Sequence, residues 1–134
     1  MDATEPGSAQ PILTHDECVA RVLGATRGRI LHTVRGLPSA LPTRICLING
    51  TLLFLGDELV VEAALRRDVV SIQIDDASAA PATWSVVVTG RAELALGHEV
   101  PISLQPALER GGTMLALPMT LLVGRRETDV GMSG

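Results

Sequence analysis

The sequence has 134 residues, of which 46% are hydrophobic and 1% aromatic, and its charged side chains give a formal net charge of −4 at pH 7. This length suits a single domain with one core, which must be built from aliphatic rather than aromatic side chains. The net negative charge excludes general attraction to a phosphate backbone, so nucleic acid is not expected as a partner.

The side chains that could hold a metal ion are scattered along the chain. The histidines show no metal-ligand spacing, and Cys18 and Cys46 form no Cys-x-x-Cys motif. We therefore predict no metal site and expect both cysteines to be small buried side chains in a reducing cytoplasm. No apolar run approaches the roughly 18 residues of a membrane span, and the polar first residues lack the basic and apolar regions of a signal peptide. These features predict a cytoplasmic protein without a membrane partner.

The chain is predicted to begin with a polar tail and then a capped helix. Thr14 and Glu17 have the spacing of a capping box, which predicts a helix over residues 15–25. The first residues show no periodicity and are predicted to be disordered. The expected organisation is a disordered tail over residues 1–11, a single domain over residues 12–126 and a C-terminal tail over residues 127–134.

Alternation of apolar and polar residues predicts six strands. Asn49 and Gly50 form the strongest hairpin signal because both residues accept the positive φ of a type I′ turn, and Arg35-Gly36 marks an earlier turn. Pro42 has no N–H for a ladder, which implies a sheet edge or a bulge. Short helices are predicted over residues 59–67 and 103–110, and strands over residues 29–34, 39–48, 51–55, 70–75, 84–94 and 114–123.

The order of these elements is a helix, three strands, a short helix and three more strands. Antiparallel pairing of neighbouring strands in so short a chain favours a small barrel whose openings are covered by the helices. The sequence therefore predicts a mainly β fold, a six-stranded antiparallel barrel with a capped N-terminal helix and one or two short helices.

Six segments carry a resemblance to a known family. They are LTHDECVARVL, GRILHTVRGLPSALP, NGTLLF, AALRRDVVSIQIDD, WSVVVTGRAEL and LLVGRR. In this order they resemble the pyridoxamine phosphate oxidase-like family of FMN-binding split barrels, particularly its small bacterial members. The resemblance implies a split barrel, a homodimer with two FMN sites at the subunit interface, and a small-molecule substrate that is oxidised or reduced through the flavin. Some members of the family bind a deazaflavin or haem instead.

The resemblance also implies which residues hold the cofactor. Arg44, Arg66 and Arg67 are the basic residues near the expected phosphate position, and Thr43 would donate a hydroxyl to the flavin or its phosphate. Trp84 would cover the dimethylbenzene side of the flavin. Each of these residues also has an alternative role that is purely structural. In that alternative, Thr43 and Arg44 are ordinary strand residues and the two later arginines complement the C-terminal end of a helix. Trp84 then packs in the barrel or in the dimer interface.

The chain departs from the family pattern where the phosphate is held. Ser39 stands where relatives commonly have an arginine, residues 59–62 stand where relatives have Gly-Ser-Lys, and Ala107 stands at or near the place of a late tryptophan. In addition, Glu62 would repel a phosphate. Two hypotheses follow: a small FMN-dependent oxidoreductase, or a cofactor-free homodimeric module for ligand binding or interaction, whose pocket at residues 59–61 would take a neutral apolar ligand. No catalytic residue is assigned.

Overall fold

The structure is a computed structural model that describes residues 11–78 and 82–127. The predicted tails lie outside the described residues except for residues 11 and 127, and residues 79–81 lie outside them as well. The described chain forms one curled antiparallel sheet with helices beside it.

The sheet has the strand order β6-β7-β3-β2-β1-β4-β5-β8 in the described residues. All of its pairs are antiparallel, and the sheet curls into a half-barrel of the split-barrel class. The helices are α1 (His15–Leu23), α2 (Glu58–Leu65) and α3 (Gln105–Glu109), the last preceded by a 3₁₀ turn over Ile102–Leu104. The strands are β1 (Arg27–Val34), β2 (Leu37–Ile48), β3 (Thr51–Gly56), β4 (Val69–Asp75), β5 (Trp84–Arg91), β6 (Glu93–Leu94), β7 (Thr113–Pro118) and β8 (Leu121–Arg126).

The prediction of six strands was wrong by two, because two predicted strands each change partner along their length. At Ala92, whose N–H donates to the Asp68 carbonyl, the chain leaves β4 and continues as β6 beside β7. At Met119 and Thr120 the last predicted strand divides into β7, which pairs with β3, and β8, which pairs with β5. Alternation continues through the first break, and the second lies in the nearly continuous apolar run over residues 114–123, so periodicity alone shows neither.

The two hairpin turns and the helix cap are those that the sequence predicts. Arg35, Gly36, Asn49 and Gly50 all have positive φ, as a two-residue hairpin turn of type I′ requires. The Glu17 N–H donates to Thr14 Oγ1 over 3.2 Å, and the Thr14 N–H donates to Glu17 Oε1 over 2.8 Å, so the capping box is confirmed.

Each predicted helix is shorter than expected. Helix α1 ends at Leu23, where Gly24 caps it and its N–H donates to the Ala20 carbonyl. Helix α2 ends at Leu65 because Arg67 takes a φ of 58°. The helix predicted over residues 103–110 is divided between the 3₁₀ turn and α3.

At two glycines the backbone of one strand passes very close to a neighbouring element. A Cβ on Gly90 would collide with the Pro118 carbonyl oxygen, so β5 passes next to the end of β7. A Cβ on Gly124 would lie 2.6 Å from Cys18 Sγ, which brings α1 onto β8. Arg126 Nη2 then joins Glu17 Oε2 at 2.6 Å across the same contact. The core between these elements is aliphatic apart from the fully buried Phe54.

Candidate functional site

A cavity of about 360 Å³ opens where the start of β1, the middle of β2, the end of β3 and the end of α3 meet. We call it the arginine cavity. Its position follows from the hairpin, because the turn at Arg35-Gly36 sets the register that places Arg27 opposite Arg44. It is lined by Arg27, Gly28, Pro42, Thr43, Arg44, Leu55, Ala107, Arg110 and Gly111.

Three arginines line this small space. Within residues 11–78 and 82–127, Arg27, Arg44 and Arg110 have no carboxylate oxygen within 4.0 Å. By contrast, Arg29, Arg66, Arg67 and Arg126 each pair with an acidic side chain. A guanidinium presents a rigid fork of donors that matches phosphate or carboxylate, so the arginine cavity has the chemistry of an anion site.

Thr43 forms a buried wall of the arginine cavity and joins two strands there. Its hydroxyl accepts a hydrogen bond from the Leu55 N–H over 3.0 Å, and it lies 3.0 Å from the Leu55 carbonyl and 2.9 Å from the Arg44 carbonyl, either of which can accept its proton. Residues 37–44 of β2 pair with β1 alone, which confirms an edge at Pro42, and β3 joins β2 only from Ile45 onward. The Thr43 side chain therefore takes the place of a ladder hydrogen bond, and its single proton is already used within the chain.

A second, acidic cavity of about 860 Å³ adjoins the first and shares Leu55 and Gly111 with it. Asp57, Glu58 and Glu62 line it at the N-terminus of α2. Asp57 Oδ1 accepts from the Val60 N–H over 3.1 Å, so the chain's own carboxylate caps this helix. The segment that stands where relatives have Gly-Ser-Lys thus adjoins negative charge in this chain.

Arg66 and Arg67 lie at the other end of α2, a helix of eight residues and therefore about 12 Å long. The Nε and Nη2 groups of Arg66 donate to Asp68 Oδ2 over 3.0 and 2.8 Å. Arg67 Nη2 lies 3.5 Å from Glu93 Oε2. Within one chain, the structure therefore separates these two predicted phosphate donors from Arg44.

Trp84 lies in a third place, against α1. The Arg21 guanidinium stands 5.2 Å from the centre of its half-buried ring, in a cation–π contact. Both line a cavity of about 380 Å³ that also contains Asp76. Hydrogen bonds from Ser78 and Thr83 lower the pKa of the Asp76 carboxyl to about 2, so this carboxylate stays charged. The structure brings Trp84 together with Arg21 rather than with the arginine cavity.

Two arginines of the cavity were not predicted from the sequence. Arg27 lies two residues before the predicted first strand, although counting back from the turn at Arg35-Gly36 gives Arg44 as its partner. Arg110 comes from α3, far along the chain, and no local pattern connects it with β2. In the described residues there is no cluster of three or more potential metal ligands. No helix in residues 11–78 and 82–127 is long and apolar enough to cross a membrane.

Comparison with known proteins identifies relatives of this fold. The sequence model of the family described as pyridoxamine 5'-phosphate oxidase matches residues 14–110. A comparison with curated protein sequences gives no match.

Among solved structures, the chain is similar to the FAD binding protein from Mycobacterium smegmatis, with 27% identity, a TM-score of 0.63, and coverage of 88% of this chain and 98% of that chain. An FAD-binding protein from Mesorhizobium loti has 19% identity, a TM-score of 0.64, and coverage of 87% and 97%. The FAD and heme binding protein from Mycobacterium smegmatis has 11% identity, a TM-score of 0.61, and coverage of 92% and 80%.

Proposed function

Because the chain belongs to the pyridoxamine 5'-phosphate oxidase family, we propose that it binds a flavin, FMN or FAD, and acts as a small flavin-dependent oxidoreductase. The observation that carries the proposal is the group of three arginines that line the arginine cavity, none of which has a carboxylate partner in the described residues. We assign the flavin phosphate to this cavity. The similarity to an FAD binding protein at 27% identity supports a flavin as the ligand.

The residues of the arginine cavity fit a phosphate that carries an organic group. Arg27, Arg44 and Arg110 supply charge-assisted donors for the phosphate oxygens. Leu55 and Ala107 supply apolar surface beside them. The flavin would carry the redox chemistry, and the chain would bind and orient it. Thr43 contributes by fixing the cavity wall, since its hydroxyl proton is used within the chain.

We also propose that the protein is a homodimer. Aliphatic side chains are exposed on the outer surface of β4 and β8, where Val69 and Leu121 are each 56% exposed and Val123 is 42% exposed. Contact with a second copy would remove this apolar surface from water. Because Arg66, Arg67 and Trp84 lie away from the arginine cavity in one chain, a role for them as flavin contacts requires the second copy. Size-exclusion chromatography with light scattering tests the dimer, and a monomer mass would refute it.

Substitution of the cavity arginines tests the phosphate assignment. Arg44→Gln and Arg110→Gln should each weaken FMN binding by about 10- to 100-fold, since a hydrogen bond to a charged group contributes about 1.5–3 kcal/mol. Arg35→Gln is the matched control, because Arg35 is an exposed arginine of the β1–β2 turn and does not line the arginine cavity. Equilibrium titration followed by flavin fluorescence measures all three variants. Unchanged affinity in both cavity variants would refute the assignment, and absence of flavin binding would leave the cofactor-free hypothesis.

A further inference from the structure

Helix α3 and Arg110, which caps its C-terminus, form a short segment that has few attachments to the sheet. We call residues 105–110 the α3 flap. None of the five side chains of α3 is fully buried. The 3₁₀ turn before it packs against β2, whereas α3 packs mainly against that turn. In the part of the chain that the structure describes, every hydrogen bond of the α3 flap goes to a residue between 100 and 111.

The two ends of the α3 flap differ in how they are held. At its N-terminal end, the Leu104 side chain is fully buried in a cluster with Leu53 and Ala116. At its C-terminal end, Gly111 has a φ of 120°, and a Cβ there would meet no atom within 4 Å. Glycine is therefore required at this position for its backbone conformation and not for space. The α3 flap thus has a fixed pivot at Leu104 and a glycine hinge before β7.

The α3 flap forms one wall of the arginine cavity. Ala107 and Arg110 line it from the flap, while Arg27 and Arg44 lie on strands that the β1–β2 ladder holds in place. Arg110 has no carboxylate oxygen within 4.0 Å among the described residues. Without an anion, the positive charges of Arg27 and Arg44 repel Arg110, and an anion bound between them attracts it. An anion therefore favours the inward position of the α3 flap over an outward one, which is the condition for a ligand-driven movement.

We propose that the α3 flap is a lid operated by an anion. In the free protein it swings outward about Leu104 and Gly111. A phosphate group held by Arg27 and Arg44 draws Arg110 inward, and the flap then covers the phosphate and slows its release. This inference rests on the proposed phosphate site in the arginine cavity.

Hydrogen exchange of the full-length protein, followed by mass spectrometry, tests the movement. Exchange is compared in the free protein, with FMN, and with inorganic phosphate at constant ionic strength. We expect FMN to slow the exchange of amides 105–111 saturably, by about tenfold or more, because their hydrogen bonds open only when the flap is outward. Amides 35 and 36 of the β1–β2 turn are the internal reference and should keep their rates.

The two anions separate failure of the lid from failure of the flavin site. If phosphate slows the exchange of the α3 flap while no flavin binds, the flavin proposal fails and the lid is supported. If FMN binds without slowing this exchange, the flavin proposal is supported and the lid is overturned. Unchanged exchange of the flap with both anions would also overturn the lid.

Arg110→Gln tests whether Arg110 closes the lid. At FMN concentrations that saturate this variant, the α3 flap should exchange as fast as in the free protein, because Arg27 and Arg44 still bind the phosphate but cannot draw the flap inward. Arg35→Gln is the control and should show the normal slowing by FMN. Normal slowing in Arg110→Gln would contradict the proposal.

Gly111→Ala tests the hinge. Its side chain disfavours a φ of 120°, so FMN affinity should fall about fivefold or more as the inward position becomes strained. Gly50→Ala is the matched control, because Gly50 also has a positive φ and open space around its Cβ position, and it should leave the affinity unchanged. Unchanged affinity in a folded Gly111→Ala variant would refute the hinge. If that variant does not fold, the exchange of the unaltered protein and of Arg110→Gln still decides.

Discussion

Arg27 and Arg44 lie directly opposite each other in the β1–β2 ladder, and neither has a carboxylate within 4.0 Å in residues 11–78 and 82–127. Like charges placed opposite each other weaken a strand pair. This chain has more acidic than basic residues, yet it leaves these two guanidiniums together with Arg110 around one cavity. An anion bound between the three would remove the repulsion, which is the basis of the proposed phosphate site.

Flavin binding should depend on the phosphate. FMN should bind at least about tenfold more tightly than riboflavin, because riboflavin has no group for the three guanidiniums to hold. In Arg44→Gln this preference should decrease. Competition titrations with the two flavins measure it at low and high salt, and the preference for FMN should also decrease as salt screens the charges. Equal affinity for FMN and riboflavin would show that the phosphate lies elsewhere.

Thr43→Val should affect stability more than flavin affinity. The change removes the hydroxyl that accepts from the Leu55 N–H and leaves that N–H without a partner. The free energy of unfolding should fall by about 1–3 kcal/mol, as measured by urea denaturation. Thr33→Val, at an exposed strand position, is the control and should change it by less than about 0.5 kcal/mol. A large loss of FMN affinity with normal stability would instead show that Thr43 contacts the flavin.

Gly90→Ala should destabilise the fold strongly. The added methyl group would collide with the Pro118 carbonyl oxygen, and backbone cannot move aside as a flexible side chain can. Overpacking of this kind costs about 1–3 kcal/mol or more, so thermal unfolding should begin at a clearly lower temperature. Gly24→Ala is the matched control because a Cβ there would lie 3.7 Å from its nearest neighbour. Equal midpoints for the two variants would contradict the close approach of β5 and β7.

The free energy of unfolding should fall at acid pH as the Asp76 carboxylate becomes protonated. Hydrogen bonds from Ser78 and Thr83 lower its pKa from 3.8 to about 2 in the folded protein. A lowered folded pKa means that the stabilisation is present above about pH 4 and is lost as the pH falls toward 2. Asp76→Asn should therefore reduce the loss of stability between pH 4 and pH 2, measured from urea midpoints. The same pH dependence in the variant would show that Asp76 does not contribute.

The turns and the helix cap could be predicted because their signals are local, and the family because its segments recur in order along the chain. Asn49 and Gly50 readily take positive φ, the turn at Arg35-Gly36 is marked by its glycine, and the Thr14–Glu17 box joins residues only three positions apart. The resemblance to the pyridoxamine phosphate oxidase-like family is confirmed by the match over residues 14–110.

The strand breaks and the complete site could not be predicted because they depend on distant partners. The break at Ala92 comes where β4 ends: the Ala92 N–H donates to the Asp68 carbonyl, and Glu93 and Leu94 then pair with β7. Arg110 reaches the arginine cavity only through the packing of α3 near Leu55, which no spacing in the sequence reveals. The family resemblance implies Arg66 as a phosphate donor, and the structure shows its side chain paired with Asp68, a contact that the sequence does not indicate.

The central claim is that this chain holds a flavin, and the most direct measurement is a titration of the purified full-length protein. Its visible absorption spectrum is recorded first, and FMN and FAD are then added to the colourless fraction while the fluorescence of Trp84 is followed. Our account predicts either a flavin spectrum in the purified protein or saturable quenching at micromolar FMN or FAD. A colourless protein whose fluorescence ignores both flavins would contradict it.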